Sequence, residues 1–122
     1  MTGTHWFEAV ERGLKALAGD LMARKRRDYS PGADPFRNFR QAELLGVPAW
    51  RGALVRLTDK ISRMASLAEK GGVGEVQDES LVDTAVDAIN YVILAFCLIL
   101  ETMPGEQQER MVRQLDAAAR GS

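Results

Sequence analysis

Hydrophobic positions recur at helical spacing along almost the whole chain, and the segment 78–100 sets the frame for the rest. At about 100° per residue, Leu81, Val82, Ala85, Val86, Ala88, Ile89, Val92, Ile93 and Phe96 occupy most of its circumference, the pattern of a helix enclosed by protein. One stripe interrupts that surface. Glu79, Asp83, Asp87 and Asn90 follow at i, i+4, i+8 and i+11 and share a face. Carboxylates on an element bound for the interior call for partners, because a desolvated charge costs several kcal/mol unless something pairs with it.

The remaining segments read as helices too. The first runs from about residue 4 to 29, with Trp6, Val10, Leu14, Leu17 and Leu21 as its core stripe, and ends in a basic turn, Arg24, Lys25, Arg26 and Arg27. Cations suit that end of a helix dipole, so Arg24 and Arg26 read as a solvated helix end, whereas Lys25 leads into the next segment. A turn over 30–34 follows, and Asp34 before Pro35 is an N-cap with proline at the first helical position. A short helix over 36–45 then directs Phe36 and Phe39 one way, with Asn38 between them, either on the surface or facing a ligand, and Gly46 as its stop.

The third helix spans 49 to about 69, with a core face of Trp50, Leu54, Leu57, Ile61, Met64 and Ala68. Beside that face lie Arg56, Asp59, Lys60 and Arg63, a charged row aimed at a neighbouring element. Gly71, Gly72 and Gly74 form a connector that lacks the spacing and lysine of a phosphate loop. Asp78 or a neighbour caps the fourth helix. A short connector makes the third and fourth helices antiparallel, which carries Asp59 and the Arg56, Lys60, Arg63 row toward Glu79, Asp83 and Asp87. A peripheral fifth helix covers 104–120, with Met111, Val112 and Leu115 apolar. The expected fold is all-α, a single domain over 1–122: an antiparallel bundle of about four long helices plus one short one.

Composition narrows the function classes. With 16 basic and 17 acidic residues, the chain has no global field to recruit long nucleic acid or an anionic membrane, so any anion site must be local. The lone Cys97 supports neither a disulfide nor a zinc cluster. His5, Glu8, Glu11, Arg12 and Lys15 exclude a signal-peptide core. Asp83 and Asp87 make 81–100 costly as a membrane span, and its uninterrupted apolar part, 91–100, is too short to cross a bilayer. A cytoplasmic protein is expected. Because 91–100 is apolar all round and few helices are available to cover it, self-association as a dimer or tetramer is expected as well.

Two chemistries fit the facing rows. Asp59, Glu79 and Asp83, with Asp87 nearby, could hold Mg²⁺, which prefers oxygen ligands and bridges to substrate phosphates, while Arg56, Lys60, Arg63 and Lys25 neutralise the phosphate charge. Alternatively the acids and cations neutralise one another as a structural network. Spacing alone leaves both open.

Three ordered blocks, KRRDYSPGADPFRNF at 25–39, RLTDKISRMASL at 56–67 and DESLVDTAVDAINY at 78–91, resemble the first nucleotide-modification-associated domain family, a largely phage-associated group. More distantly they are similar to the all-α nucleoside triphosphate pyrophosphatases of the MazG and dimeric dUTPase type. The resemblance implies a MazG-like bundle and a Mg²⁺-dependent hydrolase that splits a deoxynucleoside triphosphate into monophosphate and pyrophosphate, in nucleotide-pool or modified-base metabolism.

Under that reading Asp59, Glu79 and Asp83 are the Mg²⁺ ligands and Asp87 a further ligand or the base that orients water. Lys25, Arg56, Lys60 and Arg63 grip phosphates, and Asn38, Asn90 and Tyr91 contact base or sugar. The plainer roles are a core aromatic for Tyr91 and a helix-to-helix hydrogen bond for Asn90. The sequence departs from the pyrophosphatase pattern of ExxE and ExxD pairs: one helix carries only Asp59 and the other an ExxxD spacing, Glu79 to Asp83. Fewer acids and more cations suit holding phosphates better than holding two metals. A non-catalytic nucleotide or nucleotide-signal binder is therefore the alternative, and a purely structural oligomer the third reading.

Overall fold

The computed structural model describes residues 2–28, 34–71 and 74–121, and every regular element among them is helical. In order they are α1 (Gly3–Asp28), α2 (Arg37–Arg40) running into a 3₁₀ turn (Gln41–Leu45), α3 (Ala49–Lys70), α4 (Glu75–Leu100) and α5 (Gly105–Gly121). The expected turn over 30–34 and the middle of the glycine connector fall largely outside the described residues.

Local chemistry sets the boundaries, with two corrections. The segment expected as one helix over 36–45 divides into α2 and the 3₁₀ turn, and Asp34 caps the turn before it: its carboxylate accepts the Phe36 N–H at 2.9 Å, and helix begins only at Arg37. α4 starts at Glu75, three residues ahead of Asp78, with Gly74 at its N-cap and no side-chain cap bond. Asp78 sits inside the first turn instead, where its charge still suits the dipole. Gly46 ends the 3₁₀ turn in the left-handed region at φ 75°, which a side chain would strain.

α3 and α4 form the antiparallel pair. Three contacts give the register: the Gln77 amide donates to the Leu67 carbonyl at 3.2 Å, Lys60 meets Asp87 at 3.3 Å, and Ala49 and Ala53 pack with Ala95 and Leu98. Small residues at that end let the two backbones approach, and Leu98, 2% exposed, fills the space with Phe36, Phe39, Trp50 and Leu54 around it. α1 lies on α4 at Ala18, whose carbonyl accepts the Asn90 amide at 3.1 Å. Arg40 fastens α2 to the end of α4, donating to both Glu101 oxygens at 2.7 and 2.9 Å and to Asp34.

Rotation by about 100° per residue from the α3–α4 contact line gives the pair two unlike sides. Arg56, Asp59, Arg63, Glu79 and Asp83 fall to one; Ile61, Leu81 and Val92 fall to the other. A single chain therefore encloses α4 less than its composition suggests: Leu81, Val82, Val92, Ile93 and Phe96 stay exposed. The expected core stripe of α1 is likewise only partly covered, since Trp6, Val10 and Leu17 are exposed while Leu14 and Leu21 are half-buried. α5 is held to the end of α4 by Gln108, which donates to the carbonyls of Leu100 and Met103, and leaves Val112 and Leu115 in solvent.

Candidate functional site

The last turns of α1, the short helix α2 and the middle of α4 enclose a cleft of about 280 Å³. Helical spacing explains its composition. On α1, Met22, Lys25 and Arg26 follow at i, i+3 and i+4 and so face one way; on α4, Asp87, Asn90, Tyr91 and Leu94 do the same. α2 adds Phe36, Asn38 and Phe39, held against the opening because Asp34 and Arg40 fix the entry to this helix.

Aromatic surface and polar groups alternate around the opening. The rings of Phe39 and Tyr91 meet edge to face, centroids 6.0 Å apart at 84°, an arrangement suited to the ring quadrupoles. The Arg40 guanidinium lies 5.7 Å from the centre of the Phe36 ring. Lys25 and Arg26 supply positive charge at one wall, and Asp87, half-buried and paired with Lys60, is the carboxylate among the lining residues. Asn90 forms part of the floor while its amide is engaged with α1.

The Arg40 cluster behind the cleft is electrostatically tight. Hydrogen bonds from Arg40 hold the carboxyls of Asp34 and Glu101 below their ordinary range, and the two carboxylates in turn raise the guanidinium further. Cys97 lines the cleft as a free thiol whose pKa is raised, first by burial and then by the nearby Glu101 charge.

Of the residues singled out from sequence, Lys25, Asn38, Asp87, Asn90 and Tyr91 come together here. Lys60 reaches the edge through its ion pair with Asp87. Arg56 and Arg63 are exposed on the flank of α3 and do not line the cleft, and neither do Asp59, Glu79 and Asp83, which are exposed as well. Among the described residues no group of three or more His, Cys, Asp or Glu side chains converges as a metal site. The facing rows thus form one ion pair, Lys60 to Asp87, rather than a continuous network.

Several lining residues escape sequence reasoning. Arg26 reads as a solvated helix end, although its spacing from Met22 on the same face is a signal that would have paired it with Lys25. Cys97 and Leu94 read as core because the apolar run gives no hint of an opening beside them. The Arg40–Glu101 bond joins positions 61 apart and has no local signature. The chain matches no protein-family model, no curated protein and no solved structure.

Proposed function

We propose that the protein binds a nucleotide in the cleft between α1, α2 and α4. The observation that carries this reading is the conjunction of paired cations, an amide and an aromatic wall around one opening of about 280 Å³. Lys25 and Arg26 meet the phosphates, Arg offering a planar fork of donors and Lys a mobile point charge. Four adjacent cations, Arg24 to Arg27, outweigh the partial negative charge of roughly half an electron at the helix C-terminus. Phe39 and Tyr91 offer ring surface to the base, and the Asn38 amide offers both a donor and an acceptor to its edge.

The motif blocks imply a MazG-like bundle, and such a bundle is all-α, as this chain is. Hydrolysis to monophosphate and pyrophosphate is the second reading, favoured by Asp87 at the cleft edge. One or two carboxylates together with substrate phosphates meet the needs of Mg²⁺, and Asp83 lies one turn before Asp87 on the same stripe. Asp59 and Glu79 do not line the cleft, so the full ligand set read from sequence does not fit this geometry as it stands.

The test is a thermal-shift and calorimetric screen of ribo- and deoxynucleoside triphosphates, in Mg²⁺ and in EDTA, with released pyrophosphate measured in parallel. Binding that survives EDTA and weakens about tenfold or more when Lys25 and Arg26 are both replaced by Ala supports the binder. Pyrophosphate release that is lost in EDTA and in Asp83→Ala moves the assignment to the hydrolase. A panel in which no nucleotide binds or turns over overturns both.

A further inference from the structure

We propose that a second copy of this chain packs on the uncharged side of the α3–α4 pair, centred on Leu81, Ile89, Val92 and Phe96 of α4, to form a two-fold dimer. These residues follow at i, i+8, i+11 and i+15 and make one straight stripe, with Leu81 42%, Val92 52% and Phe96 39% exposed. Ile61 of α3, 56% exposed, extends the same side. The charged row lies on the other.

Area gives the size of what is missing. A compact monomer of 13.5 kDa exposes about 6,500 Å², whereas this chain exposes 9260 Å². The surplus of about 2,700 Å² is shared with α1 and α5, and it matches the scale on which each partner contributes to a large, permanent interface. The core points the same way: the buried hydrophobic residues among those described are four alanines, Val86 and Leu98, and the larger side chains packed on them are only partly covered. So small a core offsets little of the conformational entropy of a chain this long, and a second copy is a cover at hand whenever the chain is made.

Symmetry and charge favour self-packing over other occupants. A two-fold axis sets the same patch against itself, so the patch needs no complementary charge; the stripe carries none between Leu81 and Phe96, and Asp78, on the same line, lies at its end. α4 is long and apolar enough to cross a bilayer by length and composition. Yet the Lys60–Asp87 pair lies near the middle of that span, and α3 would carry Arg56, Asp59 and Arg63 into the hydrocarbon beside it. The dimer does not depend on what the cleft binds.

The experiment is light scattering coupled to size exclusion on the full chain, on Val92→Arg, and on Leu44→Arg, which alters an 85% exposed site on the 3₁₀ turn away from this face. Wild type and Leu44→Arg are expected at twice the chain mass and Val92→Arg at a smaller mass or unfolded. To cover a variant that does not fold, the wild-type melting temperature is followed over about a hundredfold range of concentration, where a dimer that unfolds to monomers must melt higher when concentrated. A monomeric wild type, an unchanged assembly in Val92→Arg, or a concentration-independent melt overturns the proposal. So does recovery of the protein on phosphatidylcholine vesicles in flotation.

Discussion

Replacing Asn90 tests how the cleft floor is held to α1. The side chain is 7% exposed and its amide donates to the Ala18 carbonyl at 3.1 Å. Asn90→Ala deletes that bond and leaves a small space open toward the cleft, for a loss of about 1–2 kcal/mol. Asn90→Asp keeps the shape but sets an oxygen where the donor was, facing a carbonyl. An ionised carboxylate there, buried and without a donor, adds roughly 1–3 kcal/mol to the loss. At neutral pH the Asp variant is thus expected to be the less stable of the two.

The pH dependence separates the two costs. Burial beside a carbonyl raises the folded-state pKa of the introduced Asp above its unfolded value of about 3.9. The native state then holds a proton that the unfolded chain releases. Stability returns as pH falls toward the unfolded pKa and is lost as pH rises through the folded one. Urea unfolding followed by far-UV circular dichroism, at one protein concentration and several pH values, reads both effects. With a slope of about 1–2 kcal/mol per molar urea, the Ala variant should shift its midpoint by roughly 1 M. An Asp variant as stable as wild type at neutral pH would refute the reasoning, since the amide would then not be donating to Ala18.

Leu98→Ala, at a site 2% exposed, should cost about 3 kcal/mol in the same unfolding assay. Asp34 and Glu101 are held below their ordinary pKa by Arg40, so their contribution is present above about pH 4 and fades as acid protonates them; Arg40→Met should flatten the acid limb of the stability profile. The Cys97 thiol, raised by burial, should alkylate slowly at neutral pH, faster as pH rises, and more slowly still with a nucleotide in the cleft; a rate indifferent to a bound nucleotide would remove that nucleotide from this cleft. Asp83→Asn, at an exposed site, should stay within about 0.5 kcal/mol of wild type, and a large loss would restore the structural network of acids and cations.

Periodicity carried most of the fold. The stripes of α3 and α4 and the shortness of their connector were enough to pair them antiparallel, and the left-handed glycine at 46 was legible as a stop. What periodicity could not supply was the partner of each stripe. Trp6, Val10 and Leu17 look like a core face because a helix records that it needs cover, not which chain provides it. The cleft was half legible for a related reason: Lys25, Asn38, Asp87, Asn90 and Tyr91 are polar or aromatic residues at points where the pattern changes, while Cys97 and Leu94 become lining only because α2 stands off from α4. The Arg40 clamp joins distant positions through a guanidinium, and nothing in local spacing announces it.

Glu79 and Asp83 read as metal ligands because carboxylates on a buried helix require compensation. In the folded chain both are exposed, and water solvates them without any partner. Pairing two copies through Leu81, Val92 and Phe96 would bury the opposite side of the helix and leave these acids in solvent, so a hydropathy that looks like full enclosure is satisfied without desolvating them. Only Asp87, its side chain 33% exposed, sits where a counter-charge matters, and Lys60 already provides one at 3.3 Å. Asp87 also borders the cleft, so an incoming phosphate would compete for Lys60 and leave the carboxylate to find a new partner. A metal ion arriving with the nucleotide would satisfy it. Nucleotide affinity that Mg²⁺ raises above its value in EDTA would identify the metal, and affinity indifferent to Mg²⁺ would leave Asp87 with Lys60.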